Sequence, residues 1–115
     1  MLQLRSISAQ IHMLTAALAG ATTAKVPTVS NSHVLIPMNT ADAGALNEFC
    51  YESEVSGGAK ATGEAWAIGA KIYWSTANSN FTTTSSGNTL CGYAIDTALA
   101  GDTVTPLFAF NAFAT

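Results

Sequence analysis

The strongest constraint on the fold is a period of two in the distribution of apolar residues, which begins near Val34 and continues to the end of the chain. In the segment NEFCYESEV (47–55), Phe49, Tyr51 and Val55 fall on one side of an extended backbone and three glutamates fall on the other. This alternation is typical of a strand that is buried on one face only. The sequence therefore predicts that the body of the protein is built from β-strands.

Further short segments with strand character follow each other with turn-forming residues between them and no helical pattern. They are VLIPM (34–38), AKIYW (70–74), FTTTS (81–85), TLCGYAI (89–95) and VTPLFAF (104–110). Such a series predicts a small all-β sandwich or barrel. Pro37 confines its strand to an edge or places it at a strand end. Gly92, inside a strand pattern, indicates a bulge or a close approach of two backbones.

The first 25 residues do not share this pattern clearly, and two interpretations stay open. A helical stripe is indicated by apolar residues spaced four, three and four apart, with Gly20 placed to end the helix: Ile7, Ile11, Leu14 and Leu18. An extended arm is indicated by the alternation of Leu2 and Leu4 with polar residues. We therefore expect an N-terminal arm or helix at 1–25 and a β-rich domain at 26–115.

The apolar N-terminal run resembles a targeting signal only in part. Gln10 and His12 interrupt it, and it is too short to span a bilayer. We expect a protein that is made in the cytoplasm and has no membrane partner.

The chain is poor in charge, and this argues for assembly. Charged residues make up 10% of the sequence, against about 25% in a typical domain. The net charge of -3 and the scattered cations offer no basic patch for phosphates, so we expect no nucleic-acid partner. A surface rich in Thr, Ser and Asn but poor in charge suits contact with other subunits, because burying charge there would be costly.

No pattern predicts chemistry. The frame of a phosphate-binding loop in GAKATGEA has Glu64 where the loop needs a lysine. Cys50 and Cys91 lack metal-ligand spacing, which favours buried free thiols, with one disulfide between neighbouring strands as the open alternative. The alternating acids Glu48, Glu52 and Glu54 are most simply the solvent face of a strand. We predict no catalytic, cofactor or metal site, and keep an enzyme built on these acids as the least favoured alternative.

Between Ala59 and Thr105, the segments GEAW, GAKIYW, FTTT, GNTLCGYA and ALAGDT occur in an order and spacing that resemble phage capsid decoration, or cement, proteins. The resemblance implies a small β-rich domain of jelly-roll or β-tulip-like architecture. It also implies a structural virion protein that binds the outside of an icosahedral phage head and clamps neighbouring major capsid subunits, as a homodimer or homotrimer. It carries over no catalytic residue.

Within this interpretation the apolar N-terminal residues and the threonine-rich strand are the predicted contacts with the capsid or with other copies. These interface residues are Leu2, Leu4, Ile7, Ile11, Leu14, Leu18, Thr82 and Thr84. The alternative is a tail or fibre module that recognises carbohydrate, with Trp66, Tyr73 and Trp74 as stacking platforms.

Overall fold

Nine β-strands and no helix make up the regular structure in the computed structural model, which describes residues 3–5 and 12–111. The strands are β1 Gln3–Arg5, β2 His12–Ala17, β3 Thr28–Ser30, β4 His33–Pro37, β5 Leu46–Ser56, β6 Lys71–Ser75, β7 Asn80–Thr82, β8 Thr89–Ala94 and β9 Phe108–Asn111. The prediction of an all-β fold is confirmed. No helix among the described residues is long and apolar enough to cross a membrane.

All nine strands belong to one sheet. Seven of them follow the order β3-β4-β5-β9-β8-β6-β7, and β1 and β2 each pair with β5 outside this order. Every pairing between these strands is antiparallel. β5 is the centre of this sheet. Its first half pairs with β2 and β4, and its second half pairs with β1 and β9. β4 also contacts β8, although β5 and β9 separate them in the sheet, so the sheet curls around its apolar face.

Aromatic side chains fill the interior of the curled sheet. The ring of Phe81 lies 4.8 Å from that of Trp74 and 4.9 Å from that of Phe108, measured between centroids, and both pairs are tilted edge to face. Trp66 meets Phe108 at 5.8 Å in the same manner. Each such pair contributes about 0.5–1.5 kcal/mol beyond the burial of its area. The cluster joins the loop that carries Trp66 to three strands.

The N-terminal segment is extended where the structure describes it, so the helical interpretation is wrong for residues 12–17. Leu14 and Leu18 pack against the core, and the residues between them alternate between half-buried and exposed. A spacing of four places two residues on one face of a strand as well as of a helix, so the apolar pattern did not separate the two. Pairing with β5 over His12–Ala17 favours the strand.

Three local predictions have clear outcomes. Pro37 is the last residue of β4, as expected for a residue without an N–H. The predicted strand 81–85 ends earlier, at Thr82. The predicted strand 104–110 begins only at Phe108, because Thr105 instead exchanges backbone hydrogen bonds with Gly57 and Gly58.

Gly92 lies where β8 passes closest to β9. It pairs with Phe110 in β9 and with Ile72 in β6, and the β6–β8 register shifts immediately beyond it. A Cβ atom at this position would overlap the backbone carbonyl of Ala109. Both expectations for this glycine, a bulge and a close backbone approach, are therefore confirmed.

We expect Gly92→Ala to lower the free energy of unfolding by about 3 kcal/mol, because the added methyl group meets rigid backbone in a packed sheet. Urea denaturation would measure the loss. Gly101→Ala is the matched control, since a Cβ there has no atom within 4 Å. Equal stabilities of the two variants would contradict the close approach.

Candidate functional site

A polar surface without Asp, Glu, Lys or Arg is formed by the chain on either side of β7. No such residue occurs between Lys71 and Asp96. We call residues 76–79 together with 82–88 the threonine surface. Most of its side chains are exposed hydroxyls and amides. A cleft of about 390 Å³ opens onto it, and its lining includes Glu64, Asn78, Asn80, Thr82, Thr84 and Asn88.

The carboxylate of Glu64 binds three consecutive residues of this surface. It accepts a hydrogen bond from the Thr82 hydroxyl, one from the Thr83 backbone N–H at 2.8 Å, and one from the Thr84 hydroxyl at 3.1 Å. The Thr84 N–H also donates to the Thr82 hydroxyl oxygen at 3.1 Å. These bonds replace the pairing of a strand, which explains why β7 ends at Thr82.

The same contacts change the acidity of Glu64. Partial burial favours the neutral carboxyl, but the hydrogen bonds from the three threonines favour the charged form more strongly. The pKa of the Glu64 carboxyl is therefore lowered from its ordinary value of 4.5. Glu64 remains ionised at neutral pH, and its charge is directed into the protein's own loop.

Lys60 is a buried cation, with 4% of its surface exposed. Its ammonium donates to the backbone carbonyls of Glu64 at 2.6 Å, Ala61 at 2.9 Å and Asp102 at 3.3 Å, and lies 5.9 Å from the centre of the Trp66 ring. Carbonyl oxygens thus replace the water lost on burial. The side chain ties the loop before Trp66 to the loop that ends at Asp102.

Lys60 and Glu64 together fix the threonine surface on the β-sheet. The Lys60 backbone bridges to Phe81, and the Glu64 side chain holds the three residues that follow Phe81. A loop held by several bonds loses little conformational entropy when it meets a partner. The arrangement can therefore present hydroxyl and amide groups to a partner in a fixed geometry.

The two predicted threonines differ in position. Thr82 is buried, with 4% of its surface exposed, and its hydroxyl is bound by Glu64. Thr84 is exposed at the threonine surface. Their assignment as interface residues stays a prediction, in which Thr84 is the residue placed to touch a partner and Thr82 supports it from beneath.

The predicted N-terminal contacts are only partly described. Leu14 and Leu18 are half-buried and pack against the core, and Leu4 belongs to β1. Leu2, Ile7 and Ile11 lie outside the described residues. For Leu14 and Leu18, the contact that the structure provides is with the protein's own sheet.

A second cleft is apolar and lies beside the aromatic cluster. It has a volume of about 360 Å³, and Val26, Pro27, Trp74, Phe81 and Val104 contribute to its walls. Val26 and Val104 are exposed at its mouth. This cleft carries no cluster of ionisable groups that would suggest a reaction.

The acids and thiols are not gathered into a site. His12 pairs with Glu52 across β2 and β5 at 3.3 Å, and Glu48 is exposed. Cys50 and Cys91 are buried free thiols, as predicted. Among the residues that the structure describes, no three His, Cys, Asp or Glu side chains lie close enough together to hold a metal ion.

The two tryptophans are core residues, which removes two of the three predicted stacking platforms of the carbohydrate-binding alternative, and the third, Tyr73, is half-buried. Trp66 and Trp74 have only 2% and 5% of their surface exposed, and both pack against phenylalanines. A stacking platform must offer one ring face to solvent. That prediction is wrong for both tryptophans.

Sequence reasoning missed the roles of Lys60 and Glu64. The sequence of their segment, GAKATGEA, resembles only the frame of a phosphate-binding loop and indicates no partner for either side chain. Lys60 reaches Asp102, 42 residues away, and Glu64 reaches Thr82, 18 residues away. The available signal was their position in the Gly-rich segment of a chain with very few charges.

We expect Glu64→Gln to destabilise the fold by about 1 kcal/mol at pH 7, because an amide oxygen accepts fewer and weaker hydrogen bonds at this partly exposed position. Since folding lowers the pKa of Glu64, its charge stabilises the protein above pH 4.5 and loses this effect as the pH falls through the lower folded-state value. Urea denaturation of the unmodified protein and of Glu64→Gln, at pH values from neutral to below 4.5, measures the difference in their free energies of unfolding. Glu48→Gln is the control, because Glu48 is an exposed acid. The same pH dependence in both variants would refute the role of Glu64.

Comparison with known proteins identifies the family. The sequence model of the phage cement protein family matches residues 8–108, which include β2 to β8 and the whole threonine surface. No curated protein and no solved structure matches the chain significantly. The family match extends over most of the sequence, and the chain therefore belongs to the phage cement proteins, a family of capsid-associated structural proteins of bacteriophages.

Proposed function

We propose that this protein binds the outer surface of an icosahedral phage head and stabilises the shell by clamping neighbouring major capsid subunits. The threonine surface is the face that meets the shell. The role needs no catalysis and no cofactor. Its site of action is the assembled virion, after synthesis in the host cytoplasm.

Membership of the phage cement proteins establishes a structural, capsid-associated role, and one observation carries the finer proposal. The threonine surface has no charged residue of its own between Lys71 and Asp96, and Glu64 and Lys60 hold it in place. Part of this surface, in FTTT (81–84) and at the start of GNTLCGYA (87–94), and the supporting Glu64 in GEAW (63–66) also lie in segments that carry the resemblance to decoration proteins. The segments that resemble decoration proteins thus overlap the loop that Lys60 and Glu64 hold in place.

Uncharged hydroxyls and amides suit this task. They exchange hydrogen bonds with water for hydrogen bonds with a partner at a smaller desolvation cost than charged groups. Each single contact is weak, but a protein that touches two capsid subunits at once gains effective concentration from the first contact. Repetition over the lattice then gives strong decoration from modest affinity.

The N-terminal segment has a separate part in the proposal. Leu14 and Leu18 pack against the core, and Leu4 lies in β1, whose backbone pairs with β5. As contacts with the capsid or with other copies, Leu2, Leu4, Ile7, Ile11, Leu14 and Leu18 stay predictions.

The test places a charge in the threonine surface. Ser86 is exposed at its rim and lines the polar cleft. We expect Ser86→Glu to weaken binding to expanded heads that lack this protein by at least about tenfold, because the carboxylate must be desolvated at the contact. Binding is measured by co-sedimentation with the heads over a range of protein concentrations.

Ala43→Glu is the matched control, since Ala43 is exposed in the turn between β4 and β5 and does not line the cleft. It should bind like the unmodified protein. Undiminished binding by Ser86→Glu would refute the threonine surface as the contact face. Failure of the unmodified chain to bind heads at all would refute the proposed function.

A further inference from the structure

Among the residues that the structure describes, none pairs with the outer edge of β2 through its backbone. Met38 N–H donates to the Glu48 carbonyl at 2.9 Å, so the backbone groups of Glu48 point towards β4 and away from β2. Thr15 is opposite Glu48 in the β2–β5 register and must therefore point its own N–H and C=O away from β5. By the same alternation, those of Met13 and Ala17 also point outwards.

Within the described chain, β2 pairs with β5 alone. Met13, Thr15 and Ala17 thus form an edge ready to accept another strand, with their side chains exposed. The other edge strands of the described sheet, β1, β3 and β7, are three residues each. β2, with six residues, is the longest free edge of the described sheet.

This edge lacks the usual protection against pairing. Natural edge strands carry lysines, prolines or inward charges that prevent association. No Asp, Glu, Lys or Arg occurs between Arg5 and Lys25, and β2 contains no proline. The only irregularity in its pairing with β5 falls at its first residue, between His12 and Met13. From Met13 to Ala17 the strand is regular.

The sequence of β2 is complementary to itself when it is reversed. In an antiparallel pair centred on Thr15, each Met13 faces Ala17 of the partner subunit, and each Leu14 faces Ala16 of the partner subunit. Large side chains thus meet small ones, and Thr15 meets its own copy, a favourable cross-strand pair. This register also aligns the outward backbone groups of Met13, Thr15 and Ala17 as hydrogen-bonded pairs.

We propose that β2 pairs antiparallel with β2 of a second copy of this chain, across a twofold axis at Thr15. The two curled sheets then join through an isologous interface. This inference goes beyond the proposed function, because it names the self-association surface. A pair built in this way carries two threonine surfaces and can engage the shell at two places.

The first experiment places like charges at the axis. Sedimentation equilibrium of the full chain should show a dimer, and Thr15→Lys should weaken dimerisation by at least about tenfold, because two ammonium groups would face each other. Thr97→Lys is the matched control at an exposed loop position and should remain dimeric. A monomeric or trimeric parent protein, or a Thr15→Lys variant that dimerises as the control does, would overturn the proposal.

The second experiment tests the register and does not depend on the charged variant. Burial raises the pKa of the Cys50 and Cys91 thiols, so a cysteine introduced on the exposed face of β2 is the preferred target of a thiol reagent. A cross-linker short enough to span one cross-strand pair should join Thr15→Cys protomers. It should fail with Met13→Cys, because those two positions lie four residues out of register. Equal cross-linking of the two variants, or none with Thr15→Cys, contradicts the twofold axis at Thr15.

Head binding separates this inference from the proposed function. A monomer that still decorates heads would overturn only the pairing of β2. A dimer with the predicted cross-link that ignores heads would overturn only the capsid-binding proposal.

Discussion

Pairing along both edges of β5 is the interaction on which the rest of the structure depends. This eleven-residue strand receives β4 and β9 on one edge and the N-terminal strands on the other. β5 has its acidic side chains on one face and Phe49, Ser53 and Val55 buried on the other. A slip of one residue would exchange these faces, so burial fixes the register of all four partners.

Two of the few charged residues of the chain, Lys60 and Glu64, are used within the fold. Lys60 is surrounded by carbonyl oxygens, and Glu64 is bound by threonines. Buried and partly buried charges are stable only when such partners are supplied. Their consequence here is positional, since they join loops that the sheet alone would leave independent. The surface above them can therefore be uncharged and still have a defined shape.

The sequence predicted the strands of the sheet better than the supports of its surface. Period-two patterns located β4, β5, β6 and β8, and Gly92 was recognised because a single residue type satisfies a local steric need. The N-terminal pattern failed because Leu14 and Leu18 are compatible with either period. The contacts of Lys60 with Asp102 and of Glu64 with Thr82 could not be predicted, because they join residues 42 and 18 positions apart that only the folded chain brings together.

Scarcity of charge has opposite effects at the two surfaces considered. The threonine surface stays hydrated without charge, because its hydroxyls and amides bind water until a partner replaces it. The β2 edge has no charged residue to prevent association, and its outward backbone groups can form hydrogen bonds with any strand. A symmetric pair would use the β2 edges of both copies at once and leave no β2 edge for a third copy. A head-to-tail contact would instead continue into fibres. An uncharged edge strand is prone to uncontrolled pairing, and the self-complementary β2 limits this pairing to a closed dimer. The threonine surfaces remain exposed for the shell.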